Sequence, residues 1–237
     1  DALTDCDFNT AVGFASLSQD TLGSKTTAVG YQALATQNFT SATDTFNTAL
    51  GFQAGAAVTT GIQNTLIGAL AGDALNIGLQ NTALGYVALS TDTKGQGAVA
   101  LGYGALFSQN FTSATANYNV GVGYDAGTNV TTGTQNTLIG GLSGDALTVG
   151  INNTALGTSS LSSDTKGSAS VAIGRDSLGS QNFTSATDAY NIAIGAQAGA
   201  AVSTGIRNTI IGGLAGDALT DADNNVAVGM LSLSTDT

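Results

Sequence analysis

The chain has 237 residues, 33 of them glycine, and no proline, tryptophan, histidine or glutamate. Only 9% of residues are charged and the net charge is −11, yet mean hydropathy is +0.19; a disordered acidic chain should be poor in aliphatics, and this one is rich in them. Five basic residues (Lys25, Lys94, Lys166, Arg175, Arg207) cannot neutralise a phosphate track, no run of eighteen apolar residues suits direct membrane insertion, and the lone Cys6 excludes an internal disulfide.

Taken in chain order, the sequence is a succession of five-residue units ending in glycine: "NTAVG", "NTALG", "NTLIG", "SVAIG". The glycines are Gly13, Gly30, Gly51, Gly68, Gly85, Gly102, Gly123, Gly140, Gly157, Gly174, Gly195, Gly212 and Gly229, spaced 17 apart except for three gaps of 21. The long gaps follow Gly30, Gly102 and Gly174, so four rungs make a super-repeat of 72 residues. The expected organisation is a single β-solenoid segment over 1–237, with partial super-repeats at 1–30 and 175–237 and whole ones at 31–102 and 103–174. Residues 1–13 match 217–229, which suggests a segment of a longer fibre.

Within each unit the residue before glycine is aliphatic, as in Val12, Leu50, Ile67, Ile139 and Val228. Three before is β-branched in all thirteen, and four before is Asn in ten, the exceptions being Thr26, Ala98 and Ser170. These residues suit a short strand per rung. Stacked in register, the aliphatics should form a core ridge, the Asn side chains a hydrogen-bonded ladder, and the glycines points of close backbone approach.

The second half of each rung is as regular. Three after glycine is always Ala or Ser, and four after is always Leu or Gly. Where the latter is Leu (Leu17, Leu34, Leu89, Leu106, Leu161, Leu178, Leu233), the seventh residue after glycine is Asp or Gln; where it is Gly (Gly55, Gly72, Gly127, Gly144, Gly199, Gly216), the seventh is Val or Leu. Each rung thus supplies one aliphatic to the same neighbourhood, as expected of a close-packed interior. A helical reading fails on the fixed glycines and the Asn, Ser and Thr content. The expected fold is all-β: a β-solenoid of thirteen rungs, a flat roll about 60 Å long at the strand spacing. A roll this thin cannot bury all its apolar columns in one chain, so a homo-oligomer is expected, a trimer ahead of an open filament or a monomeric rod.

The strand units "SVAIG" (170–174), "NVAVG" (225–229) and "NTALG" (81–85) resemble the head repeats of trimeric autotransporter adhesins, the YadA-like heads, and related rungs of bacteriophage tail fibres. The resemblance covers all thirteen rungs and departs from the adhesin pattern in rung length and in the regular insertion. It implies a left-handed parallel β-roll, three chains side by side in a trimer, an extracellular place on a cell-surface appendage or virion fibre, and no catalysis.

The residues themselves also give catalysis little to work with. Without His there is no Ser–His or Cys–His dyad. The acids recur with the repeat, Asp73, Asp145 and Asp217 in one column and Asp20, Asp92, Asp164 and Asp236 in another, as turn formers do, rather than as a glycosidase pair that breaks the repeat. Asp1, Asp5 and Asp7 echo Asp217, Asp221 and Asp223 and could suit calcium, but the middle copies keep only the first Asp. No cofactor or metal is therefore expected. An ice-binding array of Thr (Thr10, Thr27, Thr48, Thr65, Thr82) is interrupted by Val99, Val120, Val171, Ile192 and Val226.

The insertions carry the candidate interaction residues. Each copy reads "QNFTSAT" and ends in an aromatic: Asn38, Phe39 and Phe46; Asn110, Phe111 and Tyr118; Asn182, Phe183 and Tyr190. Either the two aromatics of a copy pack on one another to fix a long turn, or the loops contact a receptor or glycan. The three Asn also open N-x-T sequons. The expected function is a rigid, non-enzymatic adhesive fibre segment; a self-assembling filament is the alternative, with ice binding or polysaccharide cleavage behind it.

Overall fold

The computed structural model describes residues 7–235 and is a parallel β-solenoid of about thirteen rungs, with no helix among the described residues. It forms two units. The first, residues 1–118, contains β1 (Thr10–Val12), β2 (Gly23–Ser24), β3 (Thr27–Val29), β4 (Thr43–Asp44), β5 (Thr48–Leu50), β6 (Thr65–Ile67), β7 (Thr82–Leu84), β8 (Gly95–Gln96), β9 (Val99–Leu101) and β10 (Thr115–Ala116). The second, 119–237, contains β11 (Val120–Val122), β12 (Thr137–Ile139), β13 (Thr154–Leu156), β14 (Gly167–Ser168), β15 (Val171–Ile173), β16 (Thr187–Asp188), β17 (Ile192–Ile194), β18 (Thr209–Ile211) and β19 (Val226–Val228). The three-residue strands pair in parallel and in the register the glycine spacing demands: Thr48 faces Thr65, and Thr65 faces Thr82. An insertion leaves register intact, since Thr27 still faces Thr48.

The glycine anchors are fixed by the approach of the next rung. Gly68 has φ +130°, and a β-carbon there would lie 2.4 Å from the Gly85 carbonyl oxygen. The same contact recurs at Gly13 against Gly30 in the first unit and at Gly140 against Gly157 in the second. A second backbone ladder runs through the turns: the Gly55 N–H donates to the Ala71 carbonyl and the Gly72 N–H to the Ala88 carbonyl, at 3.0 and 2.9 Å.

The Asn column forms the ladder expected of it. Asn64 Oδ1 accepts the Asn81 N–H at 3.0 Å, and Asn64 Nδ2 donates to the Gly78 carbonyl at 2.9 Å. Asn136 repeats both contacts with the Asn153 N–H and the Gly150 carbonyl. Each buried amide thus satisfies two backbone groups of the following rung that would otherwise be orphaned.

The core differs from expectation in one respect. The aliphatic column before glycine does not form the core ridge; it faces outward, with Leu50, Leu84, Leu156 and Ile194 exposed. The middle strand residue faces in instead: Ala28, Ala49, Leu66, Ala83, Leu138, Ala155 and Ile210 are fully buried. Side chains alternate along a strand, so a three-residue strand turns one residue inward and two outward. The interior is narrow, which is why Ala predominates there. Its other wall is the Leu, Val and Ala of the turns, including Ala33, Leu34, Val58, Ala71 and Leu75. The Leu-for-Gly exchange is visible: a β-carbon side chain at Gly55 would run into Leu66, Leu34 and Val58.

Because the Gly68 contact is with backbone, it cannot be relieved by a rotamer change. Gly68→Ala is expected to cost roughly 3 kcal/mol or more, from clash and a disfavoured φ together. A denaturant midpoint within experimental error of wild type, followed by circular dichroism, would count against that placement.

Candidate functional site

The three inserted loops are built on a buried polar layer. The layer starts with the Asp seven residues after glycine: Asp20, Asp92 and Asp164 are fully buried. Asp164 Oδ1 accepts the Gly167 N–H at 2.9 Å, closing its own turn, and the Lys166 N–H at 3.3 Å. It also accepts the Phe183 N–H at 3.4 Å, from the loop of the next rung. Its second oxygen accepts Gln181 Nε2 at 2.6 Å. Asp92 makes the same four contacts, with Gly95, Lys94, Phe111 and Gln109. These acids are turn formers, as expected, but they lie inside the roll rather than at solvated corners. Sequence reading missed this because an Asp in a turn looks the same whichever way it points.

The Gln completes the layer. Gln37 Nε2 reaches both Asp20 Oδ2 and Thr26 Oγ1, at 2.6 and 3.1 Å, while its Oε1 accepts Asn47 Nδ2 at 2.8 Å. Gln181 does the same with Asp164, Ser170 and Asn191. The missing Asn at 26 and 170 is thus explained: a hydroxyl receives the Gln, and the Gln links onward to the next Asn. The exception at Ala98 has no hydroxyl to offer.

Each loop then leaves the roll and returns to pair with the turn of the rung before it, Gly23 opposite Thr43, Gly95 opposite Thr115 and Gly167 opposite Thr187. The two aromatics of a copy have opposite surroundings. Phe39, Phe111 and Phe183 are buried, whereas Phe46, Tyr118 and Tyr190 are exposed. Only the second aromatic is therefore available to a partner, together with Asn38, Asn110 and Asn182, which are exposed as well. Thr21, Thr93 and Thr165 each donate a hydroxyl hydrogen bond to the side-chain oxygen of the corresponding Asn. In the first copy, Lys25 Nζ pairs with Asp44 at 2.6 Å and sits 5.3 Å over the Phe46 ring.

The other acidic column is different. Asp73, Asp145 and Asp217 each keep one buried carboxylate oxygen without a hydrogen-bond partner. Burial pushes the Asp73 carboxyl above its usual range, partly offset by its own backbone N–H and the Ser90 hydroxyl. Burial also raises Asp145, again offset by its own backbone N–H, and the nearby Asp125 charge raises it further. Of the acids considered for calcium, Asp1 and Asp5, like Asp236 of the turn column, lie outside the described residues. Asp223 Oδ1 accepts the Ile206 N–H at 2.8 Å and so serves to tie two rungs together.

One exposed feature escaped the sequence reading. The residue after glycine is aromatic in six of the first seven rungs: Phe14, Tyr31, Phe52, Tyr86, Tyr103 and Tyr124. All six are exposed. Aligning that column would have found them; its variability in later rungs hid the pattern.

No protein-family profile matches the chain, and comparison with curated proteins and with solved structures finds none that is similar.

Two outcomes are expected. Gln181→Ala removes one donor from a buried carboxylate and should cost roughly 1–3 kcal/mol; Asp164→Asn added to it should recover part of the loss by removing the charge. Thermal unfolding of the single and double variants measures both. For Asp73 and Asp145 the folded pKa lies above the unfolded one, so the fold binds protons more tightly than the unfolded chain. Their contribution is fully present below the ordinary Asp range and is lost as pH rises through the raised value. Asp73→Asn should therefore raise Tm at pH 7 and leave it unchanged at pH 3, where the wild-type group is already neutral.

Proposed function

We propose that the chain is a structural, non-enzymatic segment of an extracellular adhesive fibre, working as a homotrimer in which the outward strand faces of three copies pack together. The observation that carries this is the apolar character of that face. In the first unit it presents Leu50, Leu84, Val99 and Leu101 to solvent, and in the second Leu156, Ile192, Ile194 and Ile211. Monomeric proteins seldom leave extended apolar patches uncovered, and a closed symmetric ring covers identical faces without leaving a free edge. The left hand of the roll and the 72-residue super-repeat belong to the same proposal. The super-repeat returns a loop to the surface every fourth rung, as an appendage with periodic contacts requires.

The absence of His and Glu from the sequence and the use of Asp20, Asp92 and Asp164 in buried turns support a mechanical role over a catalytic one. Strand hydrogen bonds and the Asn ladder would bear load along the stack. The exposed Asn and second aromatic of each loop would meet a receptor or glycan.

Native mass measurement tests the assembly. A single species of three chain masses is expected, and the double variant Leu50→Asp, Leu84→Asp should reduce it to single chains with the strand signal in circular dichroism retained. A wild-type monomer, or an unbounded ladder of masses, would sink the trimer; the ladder would favour the filament.

A further inference from the structure

The residue after each anchoring glycine points away from the roll. Where that residue is Gly141, a β-carbon would find nothing nearer than a backbone oxygen at 4.0 Å. In the first unit this column carries Phe14, Tyr31, Phe52, Ala69, Tyr86 and Tyr103. The rings form two stacks. Phe14 and Tyr31 are 5.5 Å apart and inclined by 13°, Tyr31 and Phe52 are 5.3 Å apart and inclined by 8°, and Tyr86 and Tyr103 are 5.6 Å apart and inclined by 26°. Ala69 interrupts the column between Phe52 and Tyr86.

Tyr31 shows what a filled place in the column looks like: it has a ring on either side and is 43% exposed, against 51% for Phe52 and 50% for Tyr86. Those two rings belong to rungs on either side of Ala69. Two rung spacings separate them, roughly 10 Å, which is the room one further stacked ring needs. Ala69 forms the floor, with Ile67 and Leu70 close by in the chain. We propose that this gap binds one planar aryl ring of an external ligand, held between Phe52 and Tyr86 as Tyr31 is held between Phe14 and Phe52.

On the proposed closed trimer, a sister chain does not supply the occupant. Copies packed side by side about a symmetry axis bring like rungs to like heights, and residues 53–85 contain no aromatic residue. The ligand should also carry a positive charge. The chain's net charge of −11 raises the local concentration of cationic ligands. An arylalkylammonium group has both properties.

Tyramine is the probe, titrated into protein carrying labelled Ile and Leu methyl groups and followed by NMR. The expected result is a saturable upfield ring-current shift at Ile67 and Leu70. 4-Hydroxyphenylacetate, with the same ring and the opposite charge, should bind more weakly, because the acidic chain repels it. Ala69→Phe fills the gap and should abolish the saturable shift while raising Tm. Tyr86→Ala removes one wall and should weaken binding with the fold retained. A linear, non-saturating response in wild type, or the same titration in Ala69→Phe, overturns the site; equal affinity for the two probes overturns its preference for cations. The exclusion of a sister chain rests on the trimer reading, but the ring site is read by titration and the trimer by native mass, so failure of one is distinguishable from failure of the other.

Discussion

The structure depends on one repeated contact, the approach of each anchoring glycine to the carbonyl of the next. At Gly68 the space for a β-carbon is already taken by the Gly85 oxygen. A rung can approach its neighbour that closely only if equal positions lie over equal positions. Every column then follows: Asn over Asn, the inward Ala over Ala or Leu, turn over turn. The four extra residues of an insertion are expelled sideways rather than absorbed, because absorbing them would displace every later glycine from its partner.

That stacking has a local cost. Gln63, Leu70, Leu89 and many of their counterparts adopt φ near +55°, a region that L side chains other than Asn, Asp and Gly seldom enter. Each such residue costs about 1–2 kcal/mol. The strain recurs at the same three places in the rung, five before, two after and four after the glycine, so it is a property of the turn and not of any one side chain. Gly takes the last of these places in six rungs and Leu in the others. Leu accepts the strain because its side chain is fully buried at Leu34, Leu89 and Leu161, and burial of that size is worth about 2 kcal/mol. Where Gly relieves the strain, Val58 or Leu75 restores the buried volume.

Period and composition made the parallel solenoid, its register and the Asn ladder legible, because each repeats thirteen times or nearly so and has only one geometric meaning. The direction of side chains was harder to read. A residue beside an Ala in a three-residue strand can face either way, and the aliphatics before glycine were expected inside although they face out. The loops were legible as insertions, but not the separation of their aromatics into a buried Phe39 and an exposed Phe46. Nor could the sequence say that Asp20 and Gln37 meet: they are 17 residues apart and become neighbours only once the rungs stack.

These directions place a polar layer inside the roll beside its Ala and Leu core, and put aliphatics on the outside. Asn64, Asn81, Asp92, Gln109, Asn136, Asp164 and Gln181 are fully buried, while Val12, Leu50, Leu84, Tyr124, Val226 and Val228 are exposed. The buried groups are tolerated because each is tied to a partner one rung away, so they specify which rung lies on which: Asp164 accepts Gln181, and a one-rung slip would leave it against Val202 without that donor. The exposed apolar groups are only partly covered within a single chain. A buried polar layer that fixes register and an apolar exterior that fixes none is the distribution expected when rungs choose their neighbours along the chain and faces choose theirs between chains. On the proposed reading, the same alternation that turns Ala inward for the roll turns Leu and Ile outward for the assembly, and three residues per strand serve both interfaces.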